Sequence, residues 1–483
     1  MSELAVPETK PEDRVPFLHM VLYGVGGLVN NLLSGSLNAM MIVLIIGYKM
    51  DPAIVAFLGF APRLFDAFTD PVIGFISDNT RTRWGRRRPF IFVGAFLVGI
   101  VFILLWQMPE GMSNTFYFWY FMIGSFALFL AYTIFITPWV ALGYELTPDY
   151  KERSILMGVQ NFFAQIGVVA PTWLFYIMSS ESLFDGDIVK GGSTVAIIIG
   201  VIAIALGVLP AIFLRERVVL EEETEKTSLL GHVKEFGLSF YRAIIFIPFL
   251  KLCIVTFFVF NGFMMIAGFQ SFVLIYYVYG GNDGEAAGLL LGTLGTVGTL
   301  CGFAIIGLVT WLSTRLGKRS TLMLAIGVSM FGYALKWFCY NPEIPYLIVL
   351  PVPFISFGLA SLFTIIPALM ADVVDLDEVN THQRREGMFG SIFWWVVKLG
   401  MSAAALGAGF ALKATGFDAD LESQTEATIF YLKAADVIIP VITSAIAMVT
   451  LWSFDLTAQR AQEIREELEA RRGTSREMAA APA

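Results

Sequence analysis

Arg63, Asp66 and Asp70 are the only charged residues in the apolar stretch 52–77. Spacings of three and four place all three on one face of a helix. Two carboxylates one turn apart in a medium of low dielectric repel each other, so they either share a proton or hold a cation between them. A hard cation such as sodium takes oxygen ligands. Thr69, beside Asp70, and Thr133, in a later apolar stretch, add hydroxyl oxygens to the two carboxylates. The expected cation site is therefore Asp66, Asp70, Thr69 and Thr133, with Na+ or H+ as its occupant. An Arg63 pairing made only for packing would neutralise one aspartate and leave the second unexplained.

Lys336 and Lys398 are the further charges singled out inside apolar stretches. An ionised side chain at a helix centre costs about 2.5 to 3.5 kcal/mol on insertion scales, so such residues mark function by default. Lys398 sits deep within its stretch, and unpaired it would deprotonate or destabilise the fold. It is expected to approach the aspartate pair in at least one state. There an arriving cation would compete with it, which makes Lys398 and Arg63 the coupling residues. Lys336 lies near a span end and reads as a lysine snorkelling to the interface.

The elements that hold these residues follow from composition. Of 483 residues, 57% are hydrophobic and 15% charged, a balance that suits lipid rather than water. Stretches of about 20 apolar residues, long enough to cross ~30 Å of hydrocarbon as helix, occur at 18–48, 52–77, 89–108, 115–144, 154–179, 193–214, 243–278, 285–312, 320–340, 345–371, 387–414 and 428–453. The fold class is thus an all-α membrane protein of twelve transmembrane helices. The leader before the first span is polar and acidic with no cleavage site, so no signal peptide is expected.

Basic residues crowd one set of connections: Arg81 to Arg88, Lys151 and Arg153, Arg215 to Lys234, Arg315 to Arg319, Arg384 and Arg385, and the tail. By the positive-inside rule both termini are cytoplasmic, in a plasma membrane that would be the inner membrane of a bacterium. The connections also echo each other. Arg83-Trp-Gly85-Arg86-Arg87 recurs as Arg315-Leu-Gly317-Lys318-Arg319, and Pro138 with Glu145, Asp149 and Arg153 recurs as Pro367 with Asp372, Asp375 and Arg384. The two offsets nearly agree and lie close to half the chain. The expected organisation is a tail over 1–17, a six-helix bundle over 18–214, a linker over 215–242, a second bundle over 243–453 and a tail over 454–483. Parallel halves of this kind place a solute site near the midplane between them and rock to expose it. The stretch 456–472 reads as a solvated cytoplasmic helix. Cys253, Cys301 and Cys339 lie in spans without metal or redox spacing and read as packing residues.

Gly74 to Asp78 followed by Arg83 to Arg87 resembles the cytoplasmic loop signature of the major facilitator superfamily, in which acids and bases clamp helix ends. On that likeness the gate residues are Asp78, Arg83, Arg86, Arg87, Glu145, Arg153, Arg315, Asp372, Asp375 and Arg384. Asp66-Ala-Phe-Thr69-Asp70-Pro71, Asn79 to Gly85, Tyr132-Thr133-Ile134 with Pro138, and Lys398 are similar to the glycoside-pentoside-hexuronide:cation symporters, typified by the melibiose permease. The resemblance runs over nearly all the spans. It implies a major facilitator fold and a sodium or proton site at Asp66, Asp70 and Thr133. Thr69 stands where the permease has an asparagine ligand, which leaves sodium and proton both open. The acids and arginine that hold sugar in the permease correspond here to Asn31, Ile136 and Asn161, so no galactoside is implied.

Polar and aromatic groups near that level are Asn30, Asn31, Thr137, Trp139, Gln160, Asn161, Trp394 and Trp395. Amides bond sugar hydroxyls and indole faces stack on sugar C–H surfaces, which favours a sugar or glycoside as solute. The 43 Phe and 19 Met residues keep a lysolipid or other amphiphile as the alternative. A non-transporting sensor would be favoured by loss of Asp66 or Asp70, and both are present. His19, His232 and His382 are scattered and no nucleophile, phosphate-loop or metal-ligand spacing occurs, so no enzyme is expected. The expected partners are a small-molecule solute and lipid, with no cofactor, no nucleic acid and a monomeric chain.

Overall fold

The structure is a computed structural model that describes residues 14–147, 150–216, 241, 243, 245–281, 283–381, 386–421, 423–457, 459–464, 466–468 and 470. The expected gate residue Arg384, the side chain of Asp78 and most of the linker lie outside the described residues. Twelve helices among these residues are long and apolar enough to cross a membrane. They are α1 (Phe17–Ile46), α2 (Pro52–Asn79), α3 (Arg88–Leu105), α4 (Asn114–Glu145), α5 (Tyr150–Thr172), α6 (Ile188–Phe213), α7 (Ile247–Phe272), α8 (Gly284–Leu316), α9 (Lys318–Cys339), α10 (Val352–Thr381), α11 (Glu386–Ala414) and α12 (Glu426–Trp452).

Helix starts follow local chemistry. Asp51 accepts a hydrogen bond from the amide of Ala53 ahead of Pro52, and Ser113 and Thr425 cap α4 and α12 in the same manner. α5 breaks at Trp173, two residues past Pro171, and resumes over Leu174–Met178. α7 continues without a gap into a π-helical segment, Val273–Val278.

The chain divides into two compact units. Unit 1 comprises Met1–Leu229, Asp283–Gly295 and Ala419–Glu422; unit 2 comprises the rest. In unit 1, α1 packs along α5 and α6, while α2 and α3 pack on α4. The first turns of α8 also belong to this unit. Gly288, Gly292 and Gly295 let α8 approach so closely that an added Cβ would lie 2.5, 2.6 and 2.3 Å from Tyr176, Trp173 and Thr172. In unit 2, α7 packs on α11 and α12, and α9 lies between α10 and α12. Its core takes in Phe249, Leu252, Leu322, Ile366, Phe389 and Leu451.

Two expectations change here. The C-terminal stretch is not simply solvated: Leu456, Ile464 and Leu468 are buried in the core of unit 2, with Ile464 1% exposed. Its apolar residues recur at helical spacing, and that face docks while its charged face stays in water. Nor does Lys336 snorkel. It is 1% exposed and paired with Asp436 of α12 at 2.6 Å. Asp436, Lys251 and Lys433 are further charges inside apolar stretches.

Candidate cation-coupling site

The aspartate face of α2 meets α4 in matched steps. Thr133 Oγ1 donates to Asp66 Oδ1 at 2.5 Å, and one turn on Thr137 Oγ1 donates to Asp70 Oδ1 at 3.3 Å. Both pairs advance by four residues in the same sense, so α2 and α4 run parallel here. Thr69 Oγ1 lies 3.3 Å from Thr133 Oγ1 and donates to the carbonyl of Asp66 at 3.1 Å. Asp66 and Thr133 are buried, with Asp66 4% exposed. Two carboxylates and three hydroxyls thus share one small region, an all-oxygen set that fits sodium or a proton.

Prolines sit at this level on both helices. Pro71 follows Asp70 and Pro138 follows Thr137. Proline has no amide hydrogen, so the carbonyls four residues back, Ala67 and Ile134, lose their usual helical donor. Backbone oxygens are therefore available beside the carboxylates.

Arg63 donates to Asn38 of α1 and is close enough to interact with Asp66 and with Tyr132 of α4. Tyr132 in turn feels both Asp66 and Asp70, and its hydroxyl donates to Asn30 of α1. Asn30 reaches Asn31 at 3.5 Å, and Asn31 holds the carbonyl of Ala164 on α5 at 3.1 Å. A polar chain consequently leads from the aspartates to the asparagines of α1. Asn38 and Tyr132 were not foreseen as site residues. Tyr132 directly precedes Thr133, a position from which its ring could be placed beside the same carboxylates.

The other expected solute residues scatter. Gln160 faces α1 at Gly27, where an added Cβ would lie 2.7 Å from its amide nitrogen, and Asn161 is exposed on α5. Trp139 is buried, stacked on Tyr23 at 4.9 Å, and its indole N–H donates to the Tyr23 carbonyl at 3.2 Å. Thr137 belongs with Asp70. Trp394 is 58% exposed on α11, with Trp395 and Lys398 partly buried on the same helix of unit 2.

The arginine-bearing connections form clamps within each unit. In unit 1, Arg86 and Arg87 both pair with Glu145 Oε1, Arg87 at 2.8 Å. Glu216, which the sequence reading did not single out, accepts the backbone amides of Arg86, Arg87 and Arg88 at 2.9, 2.8 and 3.1 Å. A carboxylate there satisfies orphan donors at the start of α3. Arg153 holds the carbonyl of Thr147 at 3.1 Å, and Arg83 is exposed. In unit 2, Lys318 takes the part expected of Arg315, binding both oxygens of Asp372 at 2.8 and 2.6 Å and the Ala368 carbonyl at 3.0 Å. Arg315 is exposed, 5.9 Å from the Trp311 ring, and Asp375 is partly buried on α10.

Known proteins share this fold and, over most of the chain, part of its sequence. The structure of a bacterial homologue of the human lysosomal transporter Spinster, inward-facing and unoccupied, shares the fold, with a TM-score of 0.67 at 16% identity over 92% of this chain and 98% of that one. The uncharacterized symporter YnaJ of Bacillus subtilis is 25% identical over 95% of this chain and 96% of its own. The isoprimeverose transporter of Lactiplantibacillus pentosus is 24% identical over 88% and 87%. The sodium-dependent lysophosphatidylcholine symporter 1 of the mouse is 28% identical over 34% and 32%. Residues 22–458 match the family described as MFS/sugar transport protein. A match that runs from the second turn of α1 to beyond the end of α12 makes this chain a member of the MFS/sugar transport protein family.

Proposed function

We propose that the chain is a cation:solute symporter working by alternating access, with the cation held by Asp66, Asp70, Thr69 and Thr133 and a sugar or glycoside as solute. Membership of a transporter family makes it a multi-pass membrane carrier and not an enzyme. The observation that carries the reading is the paired contact of Asp66 with Thr133 and Asp70 with Thr137, which gathers oxygen ligands around two acids that cannot both stay bare in lipid. The same set accepts Na+ or H+: a hydroxyl that donates to a carboxylate turns its lone pairs to an entering cation.

In this reading Arg63 balances one acid and Lys398 approaches the pair in one state, to be displaced as the cation arrives. Tyr132 and Asn30 relay the change toward Asn31, Gln160 and Asn161, which together with Trp394 and Trp395 are the proposed solute contacts. Trp139 has its N–H committed to Tyr23 and would act through packing. The clamps of Arg86 and Arg87 with Glu145, and of Lys318 with Asp372, brace the helix ends of each unit on the cytoplasmic side, on which both termini lie. The name of the isoprimeverose transporter supports a glycoside; the partial match to a lysophosphatidylcholine symporter supports an amphiphile as the second reading.

A thermal-shift panel of sugars, glycosides and lysolipids, each with and without sodium and at two pH values, tests the solute. Stabilisation by a glycoside that grows with sodium or with protons is expected. Stabilisation by lysolipids alone would transfer the solute assignment to an amphiphile.

A further inference from the structure

Unit 2 holds a buried charge cluster that neither the cation site nor the clamps use. Lys336, in the last turn of α9, lies 2.6 Å from Oδ2 of Asp436 on α12. Tyr340, just past α9, donates its hydroxyl to the same oxygen at 2.7 Å, and Lys336 also donates to Oε1 of Gln270 on α7 at 3.3 Å. Tyr333, one turn before Lys336, is buried and close enough to interact with Asp436. Oδ1 of Asp436 is buried with no hydrogen-bond partner among the described residues. A buried ion pair is poor evidence of added stability, because apolar groups of the same volume hold a fold as well or better. Charges kept inside a membrane span point to function instead.

What the cluster touches is unusual backbone. Gln270 stands three residues before the π-helical segment Val273–Val278, and π turns are rare and collect at functional positions. α12 reaches that segment a second time. Lys433, three residues before Asp436 and on the same helical face, places its Nζ 4.1 Å from the ring centre of Tyr277 and 5.2 Å from that of Trp337. Phe417 packs on Phe272 and Tyr276 at 4.9 and 5.2 Å. Beyond the segment the chain turns through Gly280 and Gly281, whose φ values of 66° and 87° suit glycine. The π segment is therefore tied to α12 at two points: through Asp436, Lys336 and Gln270 before it, and through Lys433 on Tyr277 within it.

We propose that Gln270, Lys336, Asp436 and Lys433 form a register latch that keeps the end of α7 π-helical. Its release lets residues 273–278 convert between π- and α-helix, and each conversion breaks and remakes the segment's backbone hydrogen bonds, which exposes its amides to exchange. Passing the extra residue of the π turn onward rotates the side chains beyond it by about 100°, one residue's share of a helical turn, and the part of that rotation reached late in the segment turns Tyr276 and Tyr277 away from Phe417 and Lys433. On the transport reading above, on which this role rests, the latch selects between two states of α7 during the cycle, and its four residues are positioning residues.

Hydrogen–deuterium exchange on the full chain in nanodiscs tests the latch without any solute. Gln270→Leu cuts the link to α7 and leaves the ion pair intact. The expected result is exchange at least tenfold faster within 271–281, unchanged exchange in α2 and α4, and an unchanged melting temperature. Gln270→Glu, which keeps an acceptor for Lys336, should restore protection, and Lys336→Met/Asp436→Leu should loosen the same segment. Wild-type protection of 271–281 in Gln270→Leu, or a loss spread evenly over unit 2, would overturn the latch. If the double variant does not fold, the two Gln270 variants decide. A failed solute panel with a local exchange change would sink the transport reading and leave the latch standing.

Discussion

Thr133 and Thr137 each lend one hydroxyl to one carboxylate, and a hydroxyl can donate or accept simply by rotating. That freedom lets the site exist empty, with hydrogens on the carboxylates, or filled, with lone pairs on a cation. Thr133→Val removes the donor from the more enclosed acid. The same change removes a ligand oxygen from the filled site, so apparent sodium affinity should weaken roughly tenfold, whereas proton affinity should rise, because the hydrogen bond that favours the ionised carboxylate is lost. The sodium or proton concentration for half-maximal thermal stabilisation measures each; Thr133→Ser should stay close to wild type, and an unchanged midpoint in Thr133→Val would remove Thr133 from the site. Residue types and spacing singled out Asp66, Asp70 and Thr133 as candidates in the sequence, and the structure brings Thr133 to Asp66. The partner of Thr137 was not readable, since it depends on the register of α2 against α4. For the same reason Lys336 reads as a snorkelling lysine until Asp436, far along the chain, is seen beside it.

Among the elements, the clamp at the start of α9 has unequal partners. Asp372 is 3% exposed in its side chain and Lys318 31%. Removing the lysine takes from a buried carboxylate the cation that binds both its oxygens, whereas a lysine left behind can extend toward water. Lys318→Met should therefore lower the melting temperature more than Asp372→Leu, and the double variant should recover most of the loss. Equal effects of the two single variants would show that the pair is not an isolated buried clamp. Helix existence was readable throughout, because about 20 apolar residues can do little else in lipid. The docking of the C-terminal stretch was not. Ile464 and Leu468 are too few to mark a buried face against so many charges, and only the groove they fill identifies it.

Across the molecule, one short motif is built twice. Gly85 and Gly317 follow an arginine and one further residue, and both take φ values in the left-handed region, 109° and 81°. In each unit the basic residue just after the glycine binds a carboxylate on another helix: Arg86 with Arg87 on Glu145, and Lys318 on Asp372. The repeat was legible in sequence because only glycine fits such a turn without strain. Which cation fills each clamp was not, and Lys318 rather than Arg315 does so in unit 2. The central claim is that Asp66 and Asp70 tie solute movement to a cation. Its most direct measurement is uptake into proteoliposomes of the solute that the panel identifies, driven by an imposed sodium or proton gradient. Wild type should accumulate solute above the external concentration, while Asp66→Asn, still folded and binding solute, should at most equilibrate it; accumulation by Asp66→Asn at the wild-type level would contradict the account.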